Sequence, residues 1–392
     1  MARRFLAFLP LVAAMAIVSM ALMACGGSAA PAPTAAPKAA EPTKAAAPAA
    51  APTAAPAAAP TKAPAAAAAP TTAPAAATTQ FPKMDIKLGH GGVPGMSYSL
   101  GCDKFSELMK ERTNGAVNVQ VFGNSQLGSE KDMLEQVKNG VIQMSLTTPV
   151  MLANYDGWGP IAVTAMPYIF KGDTDEEQYP TVMKLVRGPI FQDLNEKAAK
   201  ASGIRALDLG WWYGTRNLTT KSKPIVHPDD LKGLKIRTMD TPIARAALDA
   251  LGAATTPMAV ADLYTAMQTG VVDGEENPYN TIYASKYYEV QKYLSDSAHQ
   301  TMTVLLVTND KWFQGLPKEL QTLMVKTMQD AGNYQSDLQL KANAQNLKDL
   351  QDKGMIFTKV NKAEFVAKTK DVYKQFSNLF SEDFYNQVKN AQ

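Results

Sequence analysis

The sequence predicts an α/β sheet protein with chain enough for two lobes, and three observations carry the prediction. Strand-like and helix-like patterns alternate through the last four-fifths of the chain, the signature of a sheet covered by helices. The stretch from about Phe81 to Gln392 has periodic apolar patterning and no low-complexity break, ample for two lobes of ordinary domain size. The run from Pro317 to Lys353 has no internal proline and only Gly332 to interrupt it, and a helix of that length spans more than one lobe.

Taken in order, Asp85-Ile86-Lys87-Leu88 reads as a first strand, and Tyr98 to Arg112 as a helix with Leu100, Phe105, Leu108 and Met109 near one face. Val117, Val119 and Val121 alternate as a strand does. Ser129 opens the next helix with Asp132 three residues on, a capping-box arrangement, and Gly140 closes it. Leu234 and Ile236 mark a short strand, and Thr241-Pro242 starts a helix that ends at Gly252, with proline at its first position. Val260 to Thr269 forms a further helix stopped by Gly270, and a strand near Val304 to Val307 precedes the long helix.

Ahead of this module, Arg3 and Arg4 precede an apolar run from Phe5 to Ala24, broken only by Pro10 and Ser19. That order of charge then hydrophobicity is a secretory signal and not part of the fold. The run rivals a membrane span in length, so an uncleaved anchor is the alternative. Leu22-Met23-Ala24-Cys25-Gly26 resembles a bacterial lipobox, which makes residues 1–25 a lipoprotein signal with Cys25 as the lipidated residue. Residues 26–80 are almost entirely Ala, Pro and Thr. They have nothing large to bury, so a disordered tether is expected, with a reach on the order of 100 Å.

Composition excludes several functions. The net charge is +3, with no basic stretch interleaved with aromatics, which argues against nucleic acid as a partner. With Cys25 lipidated, Cys102 stands alone in a helical pattern and reads as core. His90, His227 and His299 lie far apart with no H-E-x-x-H and no paired cysteines, so neither a metal site nor a catalytic triad is expected. Gly89-His90-Gly91-Gly92-Val93-Pro94-Gly95 lies between a strand and a helix, yet proline occupies the place of the third glycine of a dinucleotide fingerprint. What remains is a loop suited to touching an anionic ligand through backbone N–H groups.

The informative block is Gly210-Trp211-Trp212-Tyr213-Gly214-Thr215-Arg216, then Asp230-Leu231-Lys232-Gly233-Leu234-Lys235-Ile236-Arg237, then Gly270-Val271-Val272-Asp273-Gly274-Glu275-Glu276-Asn277-Pro278. Asn124-Ser125-Gln126-Leu127-Gly128, Met166-Pro167-Tyr168 and Lys286-Tyr287-Tyr288-Glu289-Val290 accompany it. In this combination and order, from Ile86 onward, the chain resembles the solute-binding proteins of the DctP family, which serve the tripartite TRAP transporters.

The resemblance implies a periplasmic-binding-protein-like (type II) fold. Two α/β lobes, about 81–213 with 303–345 and about 214–302, are joined by crossover strands, bridged by the long helix and followed by C-terminal helices over 346–392. It also implies a protein that is not an enzyme and carries no cofactor. Its lobes close on a small organic acid, which passes to a small and a large membrane subunit. A binding subunit of an ATP-driven transporter or of a ligand sensor is the alternative; an extracytoplasmic α/β enzyme is a more distant one. Arg237 corresponds to the family's carboxylate-gripping arginine, although strand alternation alone puts it beside Lys235 on a solvated face. Arg216 corresponds to a second arginine near the ligand, with an ion pair across the lobes as the other reading. Asn277 corresponds to an asparagine that bonds the substrate or fixes the hinge. Thr148 falls in a strand-end contact loop and Val260 at a pocket-lining position. For the aromatic run, alternation turns Trp212 away from Trp211 and Tyr213, which are then candidates for the pocket wall.

Overall fold

In the computed structural model, which describes residues 80–392, the sheet begins with β1 (Met84–Gly89), β2 (Val117–Phe122) and β3 (Met144–Thr147). The expected signal, Cys25 and the tether lie outside the described residues. β1 is parallel to β2 on one side and to β3 on the other. The helix between β1 and β2, Ser97–Arg112, buries Tyr98, Gly101, Cys102, Phe105 and Met109. Leu100, expected on that face, is exposed instead, because the buried stripe runs through the small residues Gly101 and Cys102. Cys102 is core, as its pattern suggests.

Two strands of 17 residues, β4 (Ile204–Thr220) and β8 (Tyr293–Asn309), form the middle of the sheet. Between them in sequence come β5 (Lys235–Thr238), β6 (Ala254–Pro257) and β7 (Gly274–Asn277), and β9 (Ile356–Lys359) follows. The order is β2-β1-β3-β8-β4-β7-β5-β6, with β9 paired to β8. β3 lies against the far end of β8, at Leu305 to Thr308, while β7 pairs with Asn217 to Thr220 at the far end of β4. β4 and β8 therefore run antiparallel through both lobes. This is a mixed α/β fold of two lobes with crossover strands.

The helix Lys318–Asp352 has 35 residues and starts behind Pro317. Its first half packs Leu320, Met324 and Met328 into the large apolar cluster with Phe105, Trp211 and Leu306. Its last turns bring Leu350 into a separate cluster with Leu263, Met267 and Leu294. Start and stop signals account for the other helices. The Ser129 capping box is present in both directions, the Thr241 hydroxyl accepts from the N–H groups of Ile243 and Ala244, and Gly270 ends its helix with φ 75°. The C-terminal segment is divided. Phe365 joins a cluster with Leu218 and Ile236, whereas Val372, Phe376 and Val388 join the large cluster. Among the described residues, no helix is long and apolar enough to cross a membrane.

Candidate functional site

A cleft of about 1070 Å³, including the part open to solvent, lies between the two halves of the sheet. One wall comes from β3 and from the loop and helix starts after β1, β2 and β3, and includes Tyr98, Glu130, Leu146 and Thr148. The opposite wall comes from β4, β5, β7 and the loop after β6, and includes Arg216, Arg237, Met258, Val260 and Asn277. Tyr213 and Val304, on the two crossing strands, complete it.

Arg237 sits on β5, an internal strand between β7 and β6. Lys235 is exposed as alternation predicts, but Arg237 is only 4% exposed. Its Nε and Nη2 donate to the Met258 carbonyl at 3.1 and 2.8 Å. No carboxylate of the described residues lies within ion-pair distance. Burial pulls its pKa below the usual arginine value, with the positive charge of Arg216 adding to the effect. A desolvated cation with one neutral acceptor is costly without an anion to complete it.

Arg216 is the opposite case. Its Nε donates to Glu276 Oε2, its Nη2 donates to Glu276 Oε1 at 2.8 Å and to the Glu276 carbonyl at 2.6 Å, and its guanidinium lies 5.6 Å over the Tyr213 ring. The ion pair therefore joins adjacent strands β4 and β7 and does not bridge the lobes. Burial alone would raise the Glu276 pKa, but the charge of Arg216 and hydrogen bonds from His299 and Arg216 bring it down to about 2. Burial raises its neighbour Glu275 to about 7, against hydrogen bonds from Thr219 and Asn277.

Asn277 is held from two sides. Its Nδ2 donates to Glu275 Oε2 at 2.5 Å, and its Oδ1 accepts from the Tyr213 hydroxyl at 2.9 Å. The Thr281 hydroxyl donates in turn to Tyr213 at 3.0 Å. On the other wall, Thr148 donates through both its N–H and Oγ1 to Glu130, and its Oγ1 lies 3.9 Å from Met239 Sδ across the cleft. Val260 opens its helix opposite Gly91, where an added Cβ would come within 3.3 Å of Val260 Cγ1.

Six of the seven candidates therefore line one cavity: Arg237, Arg216, Asn277, Tyr213, Thr148 and Val260. Trp211 does not. Its ring is buried against Gly101 and Gly332, behind the strand. The pairing of β4 with β8 shifts register between Asp208 and Trp211 and again between Trp212 and Gly214, so simple alternation fails across the aromatic run. The glycine loop reaches the cavity through Gly91 alone. At Gly92 a Cβ would lie 2.2 Å from the Tyr98 ring, so this glycine lets Tyr98 form the wall. Sequence reasoning missed Glu130, Met239 and Met258. Glu130 adjoins the capping Ser129 and was legible only as a helix start.

Two α/β lobes around a cleft that holds an unpaired buried cation define a bilobal ligand-capturing protein. The family model of bacterial extracellular solute-binding protein, family 7 (DctP), matches residues 88–379, and the chain belongs to this family of TRAP transporter solute-binding proteins. It is 35% identical over 243 residues to the 2,3-diketo-L-gulonate-binding periplasmic protein YiaO of Escherichia coli K12, covering 62% of this chain and 71% of that protein. It is 34% identical over 274 residues to the C4-dicarboxylate-binding periplasmic protein DctP of Rhodobacter capsulatus, covering 69% of this chain and 78% of the relative. Among solved structures, a TRAP periplasmic solute-binding protein from Ochrobacterium anthropi with bound L-fuconate matches at 30% identity and TM-score 0.73, over 79% of this chain and 99% of that one. One from Sulfurospirillum deleyianum with bound succinate matches at 27% identity and TM-score 0.72, over 79% and 100%.

Proposed function

We propose that this chain captures a small organic acid outside the cytoplasmic membrane, gripping the carboxylate with Arg237, and delivers it to the small and large membrane subunits of a TRAP transporter. The observation that carries the reading is the buried Arg237 guanidinium, whose protein acceptor is the Met258 carbonyl. A planar fork of this kind donates two parallel hydrogen bonds to a carboxylate. The ligands named for the relatives support it, since 2,3-diketo-L-gulonate, L-fuconate and succinate all present that group. Arg216, already neutralised by Glu276, acts as a supporting wall, while Asn277, Tyr213 and Thr148 offer polar contacts and Val260 an apolar one.

Because the lining comes from both lobes, 81–213 with 303–345 on one side and 214–302 on the other, a bound acid touches both only when they close, and its binding energy selects the closed form. The module acts by binding, with no catalytic step and no cofactor. Removing one partner of a desolvated, hydrogen-bonded charge pair costs about 2–5 kcal/mol. Arg237→Ala should therefore weaken acid binding by roughly thirty-fold to several thousand-fold in calorimetry, with Arg237→Lys in between. An affinity within about threefold of wild type would remove Arg237 from the site.

The anchor belongs to the same proposal. Lipidated Cys25 would hold the module on the outer face of the membrane through the tether. Cys25→Ser should yield a soluble or unprocessed protein, and mass spectrometry of the mature wild type should find acyl mass on Cys25. A mature N-terminus elsewhere without that mass would refute it.

A further inference from the structure

The grip on Arg237 leaves an acid in the same cavity without a task. Glu130 is the first residue of the helix Glu130–Lys138 and lines the wall opposite β5. The Thr147 Oγ1, the Thr148 N–H and the Thr148 Oγ1 donate to it at 2.8, 2.6 and 2.8 Å, and all three donations fall on one oxygen, Oε1. Among the described residues no donor reaches Oε2, and that atom is not sealed off. Nor, among the described residues, does a lysine or arginine lie within ion-pair distance, although the charge of Arg237 reaches it through space. The cavity thus holds a cation that needs an anion and, apart from it, an oxygen that only accepts.

Such an oxygen discriminates between ligands that share a carboxylate. A hydroxyl presented to Oε2 donates to a charged acceptor, which is among the stronger hydrogen bonds. A second carboxylate there has nothing to donate and meets a like charge in a partly desolvated site. We infer that Glu130 is a specificity-determining residue, selecting organic acids with one carboxylate and a distal hydroxyl over dicarboxylates of the same length. The inference rests on Arg237 holding the first carboxylate. Burial raises the Glu130 pKa above the ordinary carboxylate value, against the opposing pull of the hydrogen bonds from Thr148 and Thr147 and the charge of Arg237, so the ionised acceptor is tested at pH 8. The N–H groups of the helix start also favour the ionised form.

Glu130→Gln isolates this chemistry. The amide oxygen can keep the three donations from Thr147 and Thr148, while the negative charge is removed and the group in the place of Oε2 turns from acceptor to donor. Calorimetry of the full chain at pH 8 would compare acids matched in length: D-erythronate with tartrate, gluconate with glucarate, and 4-hydroxybutyrate with succinate. In each pair that binds, wild type should prefer the hydroxy acid by about tenfold or more. Glu130→Gln should weaken the hydroxy acid and strengthen the dicarboxylate, lowering the ratio by a further factor of about ten. A wild-type preference for the dicarboxylate, or a ratio unchanged in the variant because both members shift equally, overturns the inference and leaves Glu130 as a prop for the Thr147–Thr148 turn. Failure of the grip shows separately, as hydroxy-acid affinity unaltered by Arg237→Ala. If none of the acids binds at millimolar concentration, both readings fall.

Discussion

Glu275 and Glu276 stand side by side on β7, and their neighbours drive them in opposite directions, one to about 7 and the other to about 2. The Glu275 carboxyl holds its proton more tightly when folded than at its ordinary value of 4.5. Its contribution to stability is therefore complete below about pH 4.5 and is lost as the pH rises through about 7. A displacement of that size corresponds to about 3 kcal/mol. Glu275→Gln keeps an acceptor for Asn277 and removes the titration, so urea unfolding at pH 5 and pH 8 should show wild type losing up to about 3 kcal/mol relative to the variant. Parallel profiles would contradict this. None of it was legible in the sequence, where the two acids form one acidic dipeptide, because only the place of β7 beside Arg216 and Thr219 separates them. Arg237 shows the same limit. Alternation correctly put it opposite Ile236, but whether that face meets water depends on the strand being internal and ending at the cleft, which a period of two does not encode.

At the scale of elements, the helices were the most legible because their ends carry their own chemistry. Ser129 with Asp132, Thr241 before Pro242, Pro317 and Gly270 each sit where the structure starts or stops a helix. The crossing strands were not. β8 was visible only near Val304 to Val307, since its other half is rich in Ser, His, Gln and Thr, and β4 was obscured by shifts of register. Gly332, read only as an interruption of the long helix, proves to be a packing site. A Cβ there would lie 2.4 Å from Trp211 Nε1 and 2.9 Å from Asp208 Oδ2. Alanine gains about 1 kcal/mol in helix propensity, but forcing apart a strand and a helix packed this closely costs about 1–3 kcal/mol. Gly332→Ala should therefore lower the Tm, and a raised Tm would show that the indole yields readily. The same contact explains why Trp211 is absent from the cavity, since its ring fills the groove that Gly332 opens.

For the whole molecule, length and the unbroken run before Lys353 pointed to two lobes, but nothing local disclosed the order of strands, which places β8 and β4 between the outer strands of each lobe. Six of the seven candidate residues meet in one cleft although they come from five separate stretches of chain, and it was the family resemblance, not periodicity, that linked them. The two crossing strands bear on something other than ligand capture. Each lobe completes its sheet with a segment of a strand that the other lobe also needs, and the helix Lys318–Asp352 contributes to both apolar clusters. Neither half can melt while the other keeps its hydrogen-bonded edge, so heating should give one calorimetric peak with equal calorimetric and van't Hoff enthalpies, where two peaks would mean that the lobes come apart first. The strands that permit hinge motion in the native state thus deny each half an independent unfolded life: the cleft can open and shut, yet heat must dismantle both sides at once.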